Sequence, residues 1–381
     1  MHTGITREPR YAALAGELRR LIASGTHRPG QPLASEHELA RRHRLSRVTV
    51  RRASALLIGE GLLERRAGRG LYLCSATGAP PLAAARRAHT GLRTVQVVAG
   101  NLAWASCLQI ARGVQAAARA AGAEVQLHDA HGSERGDLEL LRQLPRGSAQ
   151  GAVVIALHGA PFLEALYALR QSGYPCVLVD QRLHDLALPS VTADNRDGGR
   201  RTARHLIALG HRRIAFIGDL EADTVQERLA GLRDGCGDAG LAFDRALVAD
   251  LRPHHRLGDW TPAVVAVASA LLRRRQPPSA LVASCDAVAR AVYAAAAALG
   301  LDIPSDLSVV GFDDDPLAAL LDPPLTTVRQ PFDAMGRSAF ALLRRRLAAA
   351  PAAPGSVRSS ERVLAVDLVL RSSTTATAAA R

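Results

Sequence analysis

Residues 35–73 read SEHELARRHRLSRVTVRRASALLIGEGLLERRAGRGLYL, and this stretch sets the architecture of the amino-terminal part of the chain. Ser35 and Glu38 stand at capping-box spacing, in which a serine hydroxyl accepts from the third backbone amide while the glutamate reaches back to the cap. Leu39, Ala40 and Leu45 then supply an apolar side. Ser46 precedes a second helical run, Arg47 to Glu60, whose Val50, Ala53, Leu56 and Leu57 fall on one face. Two helices joined by so short a turn predict a helix-turn-helix, the second helix being the one that enters a DNA major groove. After Gly61 the run LLERRAGRGLYL predicts a two-stranded wing with a basic, glycine-rich tip from Arg65 to Gly70.

Upstream, Tyr11, Leu14, Leu18, Leu21 and Ile22 recur at helical spacing, and Gly25 is placed to end that helix. The charge is concentrated in the same region. Residues 1–75 hold 14 arginines against 6 acidic groups, whereas the remaining 306 residues hold 34 against 29; the chain contains no lysine. A basic head on a nearly balanced body fits a polyanion partner, although charge alone fits a solvated basic face equally well. The first turns of the second helix carry Ser46, Arg47, Thr49, Arg51 and Arg52 where base edges and phosphates would lie, and the wing adds Arg66, Gly68 and Arg69.

Residues 75–91, SATGAPPLAAARRAHTG, offer little to bury and read as a linker after a head domain of residues 8–74. From residue 92 to residue 374, β-branched runs alternate with helical periods: TVQVVA, AEVQLH, GAVVIA, PCVLVD, RRIAFIG, SALVAS and LSVVGF mark the strands. This predicts an α/β body of parallel sheets, too long for one sheet and therefore two-lobed. The expected lobes are about 92–209 with 330–350, and about 210–329 with 360–374. Closure is expected about crossovers near Gly210 and Thr327. The five cysteines, Cys74, Cys107, Cys176, Cys236 and Cys285, lack C-x-x-C spacing, which argues against a disulfide framework or a zinc site. Neither a signal peptide nor a membrane span is evident, so a cytoplasmic location is expected.

The head resembles the GntR-family winged helix over about 62 residues, through Tyr11, Pro29-Gly30, Leu33, Ser35-Glu36, Ser46-Arg47, Thr49-Val50-Arg51, Glu60-Gly61-Leu62 and Gly68-Arg69-Gly70. The resemblance places Arg47, Thr49 and Arg51 at DNA-contact positions and Gly68 and Arg69 at the wing tip. Ala34 stands where the family usually has proline, and His37 where an arginine commonly contacts DNA. The body resembles the LacI/GalR-type effector domain, itself similar to periplasmic sugar-binding proteins. The matching stretches are VLVDQR, SVTADNRDGG, HLIALGHRRIAFIG, ERLAGLRDG, SALVASCDAVA, IPSDLSVVGFDDDPLAALLDPPLTTVRQPFDAMG and LVLRSST. A GntR-type head on such a body is the arrangement of the arabinose-repressor type.

That resemblance implies an effector crevice at the carboxyl ends of strands. It assigns Arg228 a ligand contact, Asp313 and Asp197 acceptor roles, Trp260 an aromatic wall, and Asn101, Trp104 and Gln330 places on the lining. Asp286 stands there too, either as a ligand residue or as the cap of the following helix. Arg228 could instead pair with Glu227 or Asp223, Asp197 could be a cap, Asp313 could brace the turn before Pro316, and each tryptophan could be a core residue. Cys285 stands where the family often has asparagine. With no lysine there can be no P-loop, and no dinucleotide fingerprint, hydrolase triad or metal-ligand spacing is present, so catalysis, cofactors and bound metal are not expected. The expectation is a homodimeric DNA-binding regulator. It would repress carbohydrate genes and be released from its double-stranded operator by a sugar. A nucleoside- or purine-sensing corepressed regulator is the alternative, and a ligand-independent architectural binder is less favoured.

Overall fold

The computed structural model describes residues 10–23, 31–33, 35–59, 62–66, 70–73, 92–129, 134–155, 160–183, 188–251, 261–348 and 360–377. The predicted linker, 75–91, lies outside the described residues, as do Gly25, Gly68, Arg69 and Trp260.

The head consists of α1 (Arg10–Ala23), α2 (Glu36–His43), α3 (Arg47–Gly59) and an antiparallel pair, β1 (Leu63–Arg66) and β2 (Gly70–Leu73). Its helix starts follow from local chemistry. The Ser35 hydroxyl accepts from the Glu38 amide at 3.2 Å while Glu38 accepts from the Ser35 amide at 2.8 Å, completing the capping box. The same bonds hold the exposed Glu38 carboxyl below its ordinary range. Ser46 accepts from the Thr49 amide at 3.1 Å and so opens α3. Between the two helices Arg44 takes the left-handed conformation, φ 52°, and its amide closes α2 on the Ala40 and Arg41 carbonyls. Leu14, Leu18, Leu33, Leu39, Val50, Ala53, Leu57, Leu63, Leu71 and Leu73 form one core, whereas Leu21 is exposed. Full burial of each leucine contributes about 1.5–3 kcal/mol. Leu33 and Gln31 bond along β2, through Leu33 N to Leu71 O and Leu73 N to Gln31 O, which anchors the wing to the helices.

The body alternates strand and helix: β3 (Thr94–Ala99), α4 (Ala105–Ala120), β4 (Glu124–Asp129), α5 (Glu134–Gln143), β5 (Gly151–Ile155), α6 (Ala160–Gln171), β6 (Cys176–Val179) and β7 (Ser190–Ala193). It continues with α7 (Asn195–Ala208), β8 (Ile214–Gly218), α8 (Asp223–Asp238), β9 (Val248–Asp250), α9 (Thr261–Leu272), β10 (Ala280–Ala283) and α10 (Asp286–Ala298). The last elements are β11 (Ser308–Asp313), β12 (Thr326–Arg329), α11 (Phe332–Ala348), β13 (Glu361–Leu364) and β14 (Asp367–Val369). In contacts the chain forms two compact units: α5 and α6 group with the head, where α6 packs against α3, and the rest of the body forms the other.

Two six-stranded sheets result, ordered β13-β7-β6-β5-β3-β4 and β14-β12-β11-β10-β8-β9. Of the strand pairs in these sheets whose register is described, β14 runs antiparallel to β12 and the others are parallel. The chain passes between the sheets after β7, after β12 and after β13, which corrects the expected lobe limits. Helix α7 packs on α8 beside the second sheet, so the first crossing comes at Asp194 and not near Gly210. The second comes after Arg329, at Gln330, slightly beyond Thr327. Glu361–Leu364 pairs with β7 of the first sheet, where the second lobe was expected. The α7–α8 crossing is close because both helices carry glycine at the contact. A Cβ on Gly231 would strike the Arg196 carbonyl oxygen, and one on Gly199 the Arg228 carbonyl oxygen.

Candidate functional site

The head carries exposed arginines at the end of α2 and on α3. Arg51 and Arg52 are exposed on α3, and Val48 is 59% exposed one turn earlier, on the face turned away from Val50, Ala53 and Leu57. Arg51 is held by Glu36 of α2 through an Nε–Oε2 contact of 3.2 Å, with the arginine side chain 51% exposed. Such an exposed pair is worth only about 0–1 kcal/mol, less than the roughly 1–3 kcal/mol of a bidentate base contact, so it orients Arg51 without withholding it from DNA. The Ser46 hydroxyl lies 2.8 Å from that of Thr49, so both are engaged in opening the helix. Arg47 begins α3 and Arg66 ends β1 opposite Gly70, at the base of the wing tip. The sequence reading passed over Arg41, Arg42 and Arg44, which are exposed at the end of α2 and in the turn. The signal available was only their density, which the negative end of a helix dipole also accounts for.

In the body, buried and half-buried polar residues gather where strands end. Sheet order reverses between β3 and β5 in one sheet and between β8 and β10 in the other, the switch points at which open α/β sheets bind ligands outside the strand carboxyl ends. Asn101 follows β3, Asp180 and Gln181 follow β6, Asn195 follows β7, Ser284 follows β10, Asp313 ends β11 and Gln330 follows β12. Arg228 of α8 is the hub, only 6% exposed. Its Nε donates to Asn195 Oδ1 at 2.8 Å and its Nη1 to the Ser284 carbonyl at 2.5 Å, with Asp313 Oδ1 at 3.6 Å. Its guanidinium lies 3.9 Å from the centre of the Phe312 ring, a cation–π contact. Gln330 Nε2 donates to Asp313 Oδ1 at 2.7 Å.

Two carboxyls, Asp313 and Asp180, lie near this guanidinium and a third, Asp286, lies near Asp313; burial raises all three toward neutrality. Asp180 is pushed up to about 6 by burial, against the pull of Arg228. Burial also raises Asp313, with Arg228 opposing and Asp180 adding to the rise, and it raises Asp286, with the charge of Asp313 adding to it. Asp180 and Asp313 have positive φ, 56° and 115°, a backbone state that costs non-glycine residues free energy and that surrounding structure must impose. Buried polar atoms here lack partners among the described residues: Asp180 Oδ1, Gln330 Oε1, and both amide atoms of Gln181. Buried groups of this kind are expected to be satisfied in the working protein, so a ligand rich in hydroxyl donors and acceptors suits them.

The remaining expectations divide. Asn101 caps its own loop, Oδ1 accepting from the Ala103 amide at 2.8 Å. Its loop lies near Asp180, because the Cys107 thiol, pushed up to about 12 chiefly by burial, senses both the Asn101 backbone and the Asp180 charge. Trp104 is 41% exposed, so it is not a core residue. Asp286 is neither the expected cap nor a free ligand group. Cys285 occupies the cap position, and the Asp286 carboxylate accepts from Thr327 Oγ1 at 2.6 Å and from the Asp315 amide at 2.7 Å, bracing β12 and the turn after β11. Asp197 is corrected likewise. Asp194 caps α7, and Asp197 pairs with Arg201 at 2.5 Å on the helix surface, apart from the Arg228 group. Arg228 takes Asn195, the Ser284 carbonyl and Asp313 as partners, while Glu227 pairs with Arg182. Asp180 and Gln181 were missed as site residues, although their place directly after a buried strand was the available signal. Among the described residues no group of His, Cys, Asp and Glu is placed to hold a metal ion, and no helix is long and apolar enough to cross a membrane.

A capped helix-turn-helix with a wing, joined to paired α/β sheets with a polar cluster at the carboxyl ends of their strands, defines a ligand-responsive DNA-binding regulator. Residues 10–73 match the model of bacterial regulatory proteins of the gntR family, and residues 203–374 match that of the periplasmic binding protein-like domain. The arabinose metabolism transcriptional repressor of Geobacillus stearothermophilus is 27% identical over 88% of this chain and 90% of its own length. An HTH-type transcriptional regulator in the aml 5' region of Streptomyces limosus is 35% identical over 62% of this chain and 69% of its own length. Among solved structures, the transcriptional regulator CelR–cellobiose complex superposes with a TM-score of 0.65 at 26% identity, covering 96% of this chain and 98% of that one. The chain belongs to the HTH-type transcriptional regulators, with a gntR-family head and a periplasmic binding protein-like body.

Proposed function

We propose that this regulator represses carbohydrate-utilisation genes and leaves its operator when a sugar occupies the Arg228 site. The carrying observation is the set of buried, unpartnered polar atoms on Asp180, Gln181 and Gln330 beside the Arg228–Asp313 pair. They suit a polyhydroxylated molecule, and two similar proteins are named for arabinose metabolism and for a cellobiose complex. Asn101, Trp104, Asp180, Gln181, Arg228, Asp313 and Gln330 line the site in this reading, with Trp260 completing an aromatic wall. Ser46, Arg47, Thr49, Arg51, Arg52 and Arg66 contact duplex DNA, together with Gly68 and Arg69 of the wing tip. The protein works in the cytoplasm by binding alone, without a cofactor or catalytic step. Two copies joined through their bodies read a near-palindromic operator. Leu317 and Leu320, 51% and 77% exposed, are apolar surface of the kind that such an interface covers.

A thermal-shift screen against pentoses, hexoses, disaccharides and nucleosides tests the effector half, because a ligand that binds only the folded state adds RT ln(1 + [L]/Kd) of stability. A sugar is expected to raise the melting temperature. A response to nucleosides alone overturns the sugar reading. For the DNA half, Arg51→Ala is expected to weaken operator binding at fixed salt by about tenfold or more, from the ~1–3 kcal/mol of a specific base contact. Equal affinity counts against the assignment.

A further inference from the structure

We infer that Arg182 and Glu227 form a latch across the two lobes, one that sets effector affinity without touching the effector. This inference rests on the effector-site reading given above. Arg182 follows β6 by three residues and is anchored to the first sheet: its Nη2 donates to Thr192 Oγ1 of β7 at 3.0 Å, and its Nε lies 3.9 Å from Glu361 Oε2 of β13. From that anchorage Nη1 reaches Glu227 Oε1 of α8, beside the second sheet, at 2.9 Å. The two side chains are 14% and 27% exposed, so the pair is only partly screened by water.

The two ends of this contact adjoin the two halves of the ligand site. Arg182 lies two residues beyond Asp180 and one beyond Gln181, while Glu227 immediately precedes Arg228. The latch therefore fixes the position of α8, and with it the Arg228 guanidinium, relative to the end of β6. Engaged, the pair draws the two sheets together beside the site, which is the arrangement of a closed form. A pair formed across the lobes in the closed form favours closure, and a ligand that needs closure binds more tightly in proportion. Arg182 and Glu227 are thus positioning residues.

The test uses the full-length protein with Glu227→Gln, which keeps the side-chain shape and removes the charge, and with Arg182→Lys, which keeps the charge and loses the planar fork. Calorimetry and stopped-flow binding with L-arabinose and with cellobiose are expected to show affinity reduced about tenfold in Glu227→Gln, mainly through faster dissociation, and less in Arg182→Lys. Amide hydrogen exchange without sugar is expected to quicken in β7, β13 and the first turns of α8, while the core of the second sheet is unchanged. Unaltered exchange and unaltered affinity in Glu227→Gln would overturn the latch. If neither sugar binds the unmodified protein but exchange still quickens at those elements, the latch stands and the sugar reading falls. Exchange that quickens uniformly through the body would mark a general stability role and overturn the latch.

Discussion

Replacing Arg228 with methionine keeps most of the stem volume and removes the guanidinium, which isolates the contribution of its charge and hydrogen bonds. The substitution strips a partner from Asn195 Oδ1, which is fully buried, and from the Ser284 carbonyl, and it leaves Asp313 facing the charge of Asp180 without the guanidinium that opposes it. Truncating one partner of a buried charged pair costs about 3–5 kcal/mol, mostly because the other charge is left uncompensated. The sign with pH is fixed by the same geometry. Arg228 lowers the pKa of Asp313 against the rise that burial imposes, so Asp313 binds its proton more readily once Arg228 is gone. The cost should therefore be large near pH 8, where Asp313 is ionised, and smaller near pH 5, where it is neutral. Guanidinium unfolding followed by tryptophan fluorescence reads the body specifically, since the two tryptophans, Trp104 and Trp260, both lie in it. Adding Asp313→Asn to the Arg228→Met chain should recover about 1–3 kcal/mol at pH 8, the coupling expected between residues in direct contact. A loss below about 1 kcal/mol at pH 8, or one that does not shrink on acidification, would refute the assignment of Arg228 as the buried hub.

Two further expectations follow from the same structure. Asp180→Asn should flatten the pH dependence of body stability: a carboxyl raised from 3.8 to about 6 keeps its proton longer folded than unfolded, so stability falls as pH rises between those values, by roughly 3 kcal/mol at most. Unfolding midpoints of the two proteins measured from pH 4 to pH 8 check this, and parallel curves would contradict it. Gly231→Ala should destabilise the α7–α8 crossing by about 1–3 kcal/mol through overpacking against the Arg196 carbonyl, whereas Gly237→Ala, with open space around its Cβ, should be neutral or better. Denaturant midpoints of the pair separate the two cases.

The head was legible almost residue by residue, because its features are local. Ser35 with Glu38, Ser46 before Arg47, and the alternation around the wing each act within a few residues, and the structure shows both caps and the hairpin where the spacing put them. The seven strands read from β-branched runs in the body are present, whereas β7, β9, β12, β13 and β14, three or four residues each, carry too little pattern to stand out. Lobe membership was legible only in part, since a crossover is a tertiary event. Nothing in NRDGGRRTARHLIA announces that its helix packs on α8, and the glycines that permit it at Gly199 and Gly231 matter only once the two helices meet.

The site divides the same way. Arg228 and Asp313 stand out through the resemblance of the stretches that hold them, and the structure brings them to 3.6 Å of each other. Asp197 and Asp286 misled because an aspartate before or within the first turn of a helix serves capping, surface pairing or ligand binding with the same local sequence. Only tertiary partners, Arg201 for the one and Thr327 with Asp315 for the other, distinguish those uses. Asp180 and Gln181 were overlooked because an unpaired buried polar atom is a property of surroundings that the chain order does not display.

Fluorescence anisotropy of labelled duplex DNA from the promoter region beside its own gene, titrated at several salt concentrations with and without candidate sugars, addresses both halves of the protein together. Binding that weakens steeply as salt rises, and that one sugar shifts by about 5–150-fold at fixed salt, is the predicted result. Failure to bind that duplex at low ionic strength, or binding that no metabolite alters, would contradict it.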